Sequence, residues 1–483
     1  HMKHWKDFFK GKRVTLMGLG LLGRGLGDAI FLAEHGAELI VTDLRDEKTL
    51  APSLEKIQRY KNIRYTLGKH KLEDFRNRDF ILKAAGVAFD SPYIAEAEKH
   101  GIPVEMDASL FAKLMPKGVT LVGVTGTRGK STTAELLYSI LKTAKMRAFL
   151  GGVVHTTALP LLKKARAGDI VALELDSWQL QGFHGAKISP QVAVFTTFLD
   201  DHLVYYKGDR ERYFEDKAAI FRYQKASDVL VVGEQVLKGA TLPLKKGRTF
   251  KIARKADVPK DWKIPLLGEH NLENIACAIV AARALGVPDS VIKGAVERFE
   301  AVPGRLEYLR TVKGVKIYND NNATTPDATI AALKALSPLK KGAQPSAAGG
   351  LSQLPKAAPF VKGDKSIVLI MGGTDKGLDM SKLAEAIPQY CKAAVLLQET
   401  GTEKLLSEFP RLKSPLTKGA AASSRSGVVV LVKETLKACL DEAMKIAEKG
   451  DTVLFSPAFA SFGRWFKNEY DRGEQFVEIV GNL

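Results

Sequence analysis

The chain has 483 residues, of which 45% are hydrophobic and 26% are charged, and its net charge is +18 at pH 7. This composition is typical of a globular protein, and the length predicts two to four domains. No apolar run reaches the roughly 18 residues of a membrane span and no signal peptide opens the chain, so we expect a cytoplasmic protein without membrane association. The basic residues are spread along the chain, which argues against a nucleic-acid partner and favours anionic small substrates. Three distant cysteines without metal-ligand spacing predict buried thiols: Cys277, Cys391 and Cys439.

The first predicted element is a strand over residues 13–18, which leads into a turn with glycines at Gly18, Gly20 and Gly23. A helix follows, and the second predicted strand ends at Asp43. This arrangement is the dinucleotide-binding pattern of a Rossmann unit, with an acidic residue about 20 positions after the turn. Taken alone the pattern favours NAD, but the same turn can bind the pyrophosphate of another nucleotide.

Residues 119–133 predict a phosphate-binding loop between a buried strand and a helix. Gly126 and Gly129 let the backbone curl, so that successive N–H groups point at one anion beside the positive end of the helix. Lys130 can reach the outer phosphates of a nucleotide, and the hydroxyl of Ser131 can bind magnesium. The sequence therefore predicts a nucleotide-binding site here.

Two further central strands end in polar residues. The apolar run over residues 169–174 closes on Glu174, and the run over residues 191–199 leads towards His202. Because ligand groups gather beyond the carboxyl ends of parallel strands, we expect Glu174 and His202 to join the phosphate loop in one crevice. Glu174 is a natural magnesium ligand. Lys217, in contrast, lies in a local pattern that predicts an exposed helical lysine.

The C-terminal part of the chain again predicts alternating strands and helices. The run of residues 302–305 contains Pro303 and Gly304 and predicts a domain boundary. Two segments rich in small and polar residues, 337–363 and 411–427, predict loops. A buried, alanine-rich helix is predicted after Gly268, and strands are predicted over residues 315–320, 366–373 and 451–456.

With these pieces assembled, the chain resembles the Mur ligases of peptidoglycan synthesis over nearly its full length. The C-terminal tail favours the branch that adds D-glutamate, and the Asp-Asn-Pro-Arg motif of the branch that adds diaminopimelate or lysine is absent. The motifs that carry the resemblance are Thr125-Gly-Thr-Arg-Gly-Lys-Ser131, Glu174-Leu-Asp-Ser-Trp-Gln-Leu180, Asp201-His202, Gly268-Glu-His-Asn271, Pro303-Gly-Arg305, Asn319-Asp320, Gly372-Gly-Thr-Asp-Lys376-Gly and Ser456-Pro-Ala-Phe-Ala-Ser461-Phe, followed by Phe466-Lys-Asn and Arg472-Gly.

The resemblance implies an α/β fold of three domains. These would be a Rossmann-like domain for the UDP-linked substrate (1–116), a central ATP-binding P-loop domain with a parallel sheet (117–302) and a Rossmann-like C-terminal domain for the amino acid and ATP (303–483). The implied activity joins UDP-N-acetylmuramoyl-L-alanine to D-glutamate through an acyl phosphate, with ATP and two Mg²⁺ ions. The implied partners are therefore small molecules, with no nucleic acid and no membrane, and the enzyme would be a monomer.

The resemblance also implies roles for single residues. Lys130, His202 and Lys217 would be catalytic, and Lys217 matches a carbamylated lysine of the family. Ser131 and Glu174 would bind one magnesium ion, and the carbamate of Lys217 would bind the other together with His202. ATP would contact Gly126, Thr127, Gly129, Lys130, Ser131, Thr132, Asn271, Arg305 and Asp320. The UDP part of the acceptor, rather than NAD, would contact Gly18, Gly20, Gly23, Asp43 and Arg45. D-glutamate would contact Thr324, Lys376, Ser461 and Phe462.

The chain departs from the family pattern at several positions, and three of the segments concerned lie on the side of the UDP-linked acceptor. Val124 stands where the strict phosphate-loop motif has glycine. Arg128 and Asn322 replace a usual asparagine and a usual lysine, and Phe459 replaces a small residue. On the acceptor side the chain has Ala84-Ala85-Gly86 for Ser-Pro-Gly, Gly152-Val153-Val-His155 for Gly-Asn-Ile-Gly and Ala108-Ser-Leu-Phe111 for Ile-Glu-Leu-Phe.

Three alternative functions differ from this hypothesis in testable ways. A related ligase for another amino acid or acceptor, including one with folylpolyglutamate-type chemistry, would keep the ATP chemistry and change the substrate. An NAD-binding oxidoreductase would bind NAD tightly without ATPase activity. A basic nucleic-acid-binding ATPase would hydrolyse ATP faster with DNA or RNA.

Overall fold

The computed structural model describes residues 5–153, 156–202, 205–242, 249–337, 365–412, 428–461 and 463–483. The chain divides into two compact units, the first made of residues 1–199, 211–257 and 274–295 and the second of residues 200–210, 258–273 and 296–483. The predicted loops 337–363 and 411–427 fall almost entirely outside the described residues, and so does Phe462. The structure contains three separate β-sheets, and the predicted α/β fold is confirmed.

The first sheet has five parallel strands in the order β3-β2-β1-β4-β5. The order reverses between β1 and β4, and ligands of open α/β sheets bind at such a switch point. The strands are β1 (Arg13–Met17), β2 (Glu38–Asp43), β3 (Ile63–Leu67), β4 (Phe80–Lys83) and β5 (Val104–Glu105), with helices α1 (Trp5–Phe9), α2 (Arg24–Glu34), α3 (Glu47–Ile57), α4 (Pro92–Lys99) and α5 (Asp107–Leu114) and a short 3₁₀ helix (Leu72–Phe75).

The second sheet has six parallel strands in the order β11-β10-β9-β6-β8-β7. The strand before the phosphate loop, β6, is central and is flanked by β8 and β9, so all three strands end at the same edge. The elements are β6 (Thr120–Thr125), α6 (Lys130–Thr143), β7 (Ala148–Gly151), β8 (Ile170–Glu174), α7 (Ser177–Ala186), β9 (Val192–Phe195), α8 (Arg210–Arg222), β10 (Val229–Gly233), α9 (Glu234–Gly239), β11 (Thr249–Ala253), α10 (Glu269–Ala284) and α11 (Asp289–Val296), with 3₁₀ helices at Leu159–Lys163 and Lys255–Asp257.

The third sheet has six strands in the order β12-β13-β17-β14-β15-β16. Its first pair, β12 and β13, is antiparallel and the others are parallel. The elements are β12 (Glu307–Val312), β13 (Val315–Asn319), α12 (Pro326–Leu336), β14 (Ile367–Met371), α13 (Ser381–Tyr390), β15 (Cys391–Leu397), α14 (Thr400–Glu408), β16 (Val429–Lys433), α15 (Leu436–Ile446), β17 (Thr452–Phe455) and α16 (Glu469–Gly481), with a 3₁₀ helix at Pro410–Leu412.

The third sheet shows why these sequences form buried strands. Every residue of β14 is buried, and its side chains alternate between two cores. Leu369 packs towards α12 and α13, whereas Ile370 packs towards α15 and α16. A parallel sheet covered by helices on both faces requires such a continuous apolar run.

Two further expectations from the sequence concern the chain as a whole. All three cysteines are buried and reduced, as predicted. Among the described residues, no helix combines the length and the apolar character that a membrane crossing requires.

Candidate active site

The phosphate loop is built on two glycines that no other residue could replace without strain. Gly126 and Gly129 have positive φ angles of 156° and 83°. A Cβ atom at Gly126 would collide with the hydroxyl of Thr196, and one at Gly129 would collide with the side chain of Asn274. Both glycines therefore serve the turn itself and its close packing against the rest of the central domain.

Hydrogen bonds within the second sheet's domain fix the loop. The backbone N–H of Thr127 donates to the carbonyl of Thr197 at 2.8 Å, and that of Arg128 donates to the Thr197 hydroxyl at 2.9 Å. The Lys130 ammonium donates to the carbonyls of Gly126 and Thr127 at 3.0 and 3.3 Å. The Thr127 and Arg128 amides therefore donate inside the protein, and the positive end of α6, which begins at Lys130, follows the loop directly.

Lys217 lies beside this loop, so the exposed position predicted from its local pattern is wrong. Its side chain is only 2% exposed. The Nζ atom donates to the Gly126 carbonyl at 2.9 Å and lies 3.5 Å from Oγ1 of Thr125. The ring centroid of Tyr213 lies 5.1 Å from the same Nζ atom, and its hydroxyl lies 3.1 Å from Oγ1 of Thr127. Helix α8 therefore delivers a buried lysine to the start of the phosphate loop.

Glu174 ends β8 at the same edge of the second sheet. It pairs in register with Val124, one residue before the end of β6, and Ser131 is buried in the first turn of α6. Among the described residues, no group of three His, Cys, Asp or Glu side chains could hold a metal ion. A hydroxyl and a single carboxylate nevertheless suit Mg²⁺, which often binds one or two carboxylates and completes its shell with substrate phosphates and water.

The N-terminal turn has the backbone that its glycines predicted. Gly18, Gly20 and Gly23 all have positive φ, at 101°, 61° and 97°. Asp43 is buried; one of its carboxylate oxygens accepts from the N–H of Gly20 at 3.0 Å and the other from the N–H of Arg45 at 2.9 Å. The acidic residue therefore supports the turn, a role that the sequence did not predict for it.

A buried polar cluster joins the N-terminal and central parts of the first unit. The Thr157 hydroxyl donates to Oδ1 of Asp28 and lies 3.2 Å from Oδ2 of Asp107. Nε2 of Gln179 donates to Oδ1 of Asp107 at 3.3 Å. Burial and the charge of Asp107 raise the pKa of Asp28 well above 3.8, against the opposing effects of Thr157 and Arg24. No local sequence pattern predicts this cluster, because its members are distant along the chain.

A second unforeseen group is the buried lysine Lys83 at the end of β4. Its ammonium donates to the carbonyls of Ala84, at 3.1 Å, and Val87, and lies 4.4 Å from the ring centroid of Phe89. Burial lowers its pKa to about 8, against the attraction of Asp176 and Asp216. Lys83 therefore stabilises the turn in which Ala84-Ala85 replaces the Ser-Pro of the family pattern.

In the second unit, Asp320 is buried after β13 and organises the surrounding backbone. One oxygen accepts from the N–H of Leu306 at 2.9 Å, and the other accepts from the Ser456 hydroxyl at 2.9 Å. Asn322, the departure from a usual lysine, donates to the Pro303 carbonyl at 3.4 Å through its side chain. Its backbone N–H donates to the Gly304 carbonyl at 2.9 Å, so Asn322 holds the segment predicted as a domain boundary.

The residues expected to bind the amino acid lie on loops that follow strands of the third sheet. Ser461 is 3% exposed, and its hydroxyl has no hydrogen-bond partner among the described residues. Lys376 donates to Asp201 at 2.9 Å. Burial opposes ionisation of Asp201, but His202 and Lys376 outweigh it and lower the pKa of Asp201. Thr324 is half-buried, and its N–H donates to Asn322 at 3.0 Å.

Three more predicted residues belong to this second unit. His202 adopts a left-handed backbone with φ of 55°, and its Nε2 lies 3.7 Å from the carboxylate of the adjacent Asp201. Asn271 is buried and donates from its side chain to the Leu267 carbonyl at 2.7 Å. Arg305 is partly buried, and its N–H donates to Val302 at 3.0 Å.

Phe459, which replaces a small residue of the family, points into the core of the third domain. It is 2% exposed and belongs to the apolar cluster around Leu369. A Cβ atom at Gly401 would lie 2.6 Å from Cε1 of Phe459, so the phenyl ring occupies the space that this glycine leaves open. The phenylalanine in place of a small residue is therefore accommodated in the core beside Gly401.

Comparisons with known proteins agree with the three sheets. Residues 12–105 match the family described as Mur ligase MurD-like, N-terminal domain; residues 124–241 match the Mur ligase middle domain; and residues 304–459 match the Mur ligase, glutamate ligase domain.

Individual relatives extend this match over the whole chain. The chain is 34% identical to UDP-N-acetylmuramoylalanine--D-glutamate ligase of Roseiflexus sp., over 97% of this chain and 98% of the relative. It is 30% identical to the enzyme of the same name from Borreliella afzelii, over 99% of both chains. The structure of UDP-N-acetylmuramate-alanine ligase from Thermotoga maritima superposes with a TM-score of 0.59 at 18% identity, over 98% of this chain and 99% of that one, which shows a common fold.

A phosphate loop in the middle one of three α/β domains, together with full-length relatives that are named as ligases, identifies an ATP-dependent ligase. The chain belongs to the Mur ligase family, and within it the chain groups with the D-glutamate ligases.

Proposed function

We propose that this enzyme joins the carboxylate of UDP-N-acetylmuramoyl-L-alanine to the amine of D-glutamate, in the synthesis of peptidoglycan precursors. A carboxylate is a poor acyl donor, so ATP first transfers its γ-phosphoryl group to a carboxylate oxygen, which gives an acyl phosphate and ADP. The amine of D-glutamate then attacks the acyl carbon, the amine loses a proton and phosphate leaves.

The observation that supports this proposal best is the cluster of two lysines at the phosphate loop. Nζ of Lys130 and Nζ of Lys217 both donate to the Gly126 carbonyl, at 3.0 and 2.9 Å. Phosphoryl transfer to a carboxylate brings anions together, so neutralisation of charge is the main task of such a site. Lys130 would meet this need directly as a cation, and Lys217 would meet it through the metal ion that its carbamate holds. Lys130 and the first turn of α6 would hold the ATP phosphates, with Gly126, Thr127, Gly129, Ser131 and Thr132 shaping the site.

Magnesium fits the residues of the central domain. Ser131 and Glu174 supply a hydroxyl and a carboxylate, and the phosphates of ATP would complete the set. Magnesium supplies charge neutralisation on the phosphoryl oxygens when bound. For a second ion, Lys217 as its carbamate and His202 are the proposed ligands, since carbamylation would convert a buried cation into an oxygen donor.

The remaining roles follow the family assignments. The Lys376 ammonium and the Ser461 hydroxyl are a cation and a donor that suit the carboxylates of D-glutamate, and the buried Ser461 hydroxyl has no other described partner. Thr324 and Phe462 complete the amino-acid contacts. ATP is also contacted by Asn271, Arg305 and Asp320, and the UDP part is bound by Gly18, Gly20, Gly23, Asp43 and Arg45.

The organisation proposed for the chain has an acceptor domain at 1–116, an ATP domain at 117–302 and an amino-acid domain at 303–483. We further propose a cytoplasmic monomer that acts on small molecules only, with no nucleic acid or membrane partner.

The decisive experiment measures phosphate release from ATP with UDP-N-acetylmuramoyl-L-alanine, with and without D-glutamate and with a panel of other amino acids. We expect release that needs both substrates and that falls at least about 100-fold in Lys130→Ala. Lys142→Ala is the matched control, because Lys142 is an exposed lysine of the same helix. Phosphate release that depends on a different amino acid would keep the ligase function and change the assigned amino-acid substrate. No release with any pair of substrates would refute the ligase function.

The carbamate has its own test. Wild-type enzyme equilibrated with ¹³C-bicarbonate should give a carbamate signal in its ¹³C NMR spectrum that Lys217→Ala lacks, and short carboxylic acids should partly restore the activity of Lys217→Ala. A fully active wild-type enzyme without that signal would exclude carbamylation.

A further inference from the structure

Arg472 is a fully buried arginine in α16. Its guanidinium donates three hydrogen bonds, which use all three of its nitrogens. Nε donates to Oδ1 of Asn321 at 2.8 Å, and Nη2 donates to the Asn321 backbone carbonyl at 3.1 Å. Nη1 donates to the Phe459 carbonyl at 3.2 Å.

The charge of Arg472 is not explained by an ion pair. All three acceptors are neutral, and no carboxylate among the described residues hydrogen-bonds to the guanidinium. Burial lowers the pKa of Arg472 to about 10, and Glu469 opposes this shift only through space. Because burying a charge without a bonded counter-ion is costly, a purely structural position would favour an apolar side chain.

The three hydrogen bonds connect two loops, and a third loop closes on the same guanidinium. Asn321 lies in the loop after β13 and Phe459 in the loop after β17. In the loop after β14, a Cβ atom at Gly373 would lie 3.1 Å from Nη1 of Arg472. The N–H of Thr374 in this loop donates to the Ala460 carbonyl at 2.8 Å.

The approach of α16 to these loops depends on a glycine. The side-chain amide of Asn321 donates to the Glu469 carbonyl at 2.6 Å. A Cβ atom at Gly473 would lie 2.8 Å from Nδ2 of Asn321, so any larger residue would push the helix away. Gly473 therefore allows α16 to place the guanidinium of the adjacent Arg472 at the carboxyl edge of the third sheet.

These three loops are the ones expected to bind the amino acid. Thr324 follows β13, Lys376 follows β14 and Ser461 follows β17. Resting on the proposed function, we propose that Arg472 is a positioning residue that fixes the spacing of these three loops, and so sets the affinity for the incoming amino acid without touching it.

Arginine suits this role better than lysine does. Its rigid planar fork reaches acceptors on two loops at fixed angles, whereas an ammonium on a flexible stem does not hold two acceptors at a set spacing. Arg472→Lys keeps the charge and removes the fork, and Arg472→Ala removes both. Arg310→Ala is the matched control, because Nη1 of Arg310 donates to the Val480 and Gly481 carbonyls at the other end of α16.

The first measurement is steady-state kinetics of the full-length chain. We expect KM for D-glutamate to rise between about tenfold and 100-fold in Arg472→Lys and further in Arg472→Ala, with KM for UDP-N-acetylmuramoyl-L-alanine within about twofold of wild type. Guanidinium ion should partly restore Arg472→Ala. An unchanged KM for D-glutamate, or equal changes in both KM values, would overturn the proposal.

The second measurement keeps the test independent of the substrate. Hydrogen–deuterium exchange should be faster in residues 320–325, 372–377 and 456–461 of Arg472→Lys, and unchanged in the second sheet. Unchanged exchange in those loops would overturn the positioning role even if the wild-type enzyme proved inactive with D-glutamate. Wild-type inactivity with every amino acid would instead refute the proposed function.

Discussion

Replacing Asp28 by asparagine should abolish a specific pH dependence of stability. Asp28 is buried where α2 meets the central domain; it accepts from the Thr157 hydroxyl, which also lies 3.2 Å from Asp107. Burial and the neighbouring Asp107 carboxylate raise the pKa of Asp28 above its ordinary 3.8, whereas Thr157 and Arg24 lower it by less. Asparagine keeps the acceptor oxygen and cannot ionise.

The sign of the effect follows from proton binding. Between pH 3.8 and the raised pKa of Asp28, the folded protein binds up to one more proton than the unfolded chain. The contribution of Asp28 is therefore fully present below pH 3.8 and is lost as pH rises through that window. One proton corresponds to a slope of about 1.4 kcal/mol per pH unit. For an unfolding unit of 150–250 residues this is about 3–6 °C in Tm per pH unit.

The assay compares Tm of wild type and Asp28→Asn from pH 4.5 to 8. The other titratable groups are common to both proteins, so their contributions cancel in the difference between the two Tm values. We expect the variant to gain stability relative to wild type as pH rises. Asp7→Asn, at an exposed position in α1, controls for the loss of one negative charge. Parallel curves for wild type and Asp28→Asn would refute the reasoning.

Three further predictions test packing. Gly126→Ala should abolish ATP binding measured by calorimetry because the loop has no room for a methyl group, whereas Gly185→Ala, with open space around it, should leave binding unchanged. Leu369→Ala should cost about 2–5 kcal/mol in urea unfolding because this side chain is fully buried in the third domain. Phe459→Leu should lower Tm and leave the amino-acid preference unchanged, since the ring fills the space beside Gly401; a switch of preferred amino acid would contradict this.

The sequence predicted the parts of the fold that local patterns encode. Apolar runs located the strands that become β6, β8 and β9, and glycines located two turns whose positive φ angles the structure displays. The sequence also predicted that Glu174 lies near the phosphate loop, and the parallel pairing of β6 with β8 agrees with this. The roles of the individual site residues remain predictions, since they concern ligands.

The residues that the sequence did not reveal act through tertiary contacts. The local pattern of Lys217 predicts an ordinary exposed helical lysine, because its burial depends on a loop some 90 positions earlier in the chain, as its bond to Gly126 shows. Arg472 was visible as part of a motif, but its link to Asn321 spans 151 positions. Asp28 and Thr157 are 129 positions apart. Periodicity and spacing carry no information about such pairs.

The strand order of the third sheet has a consequence for the synthesis of the chain. The last strand, β17, lies between β13 and β14, so the centre of this sheet is made only when residue 455 has been added. The first two sheets need nothing beyond residues 105 and 253. On the ribosome the first two sheets can therefore form early, whereas β13 and β14 each have an unpaired edge until β17 has been synthesised. Folding of the third sheet therefore depends on β17, and truncation before β17 should leave two unjoined half-sheets.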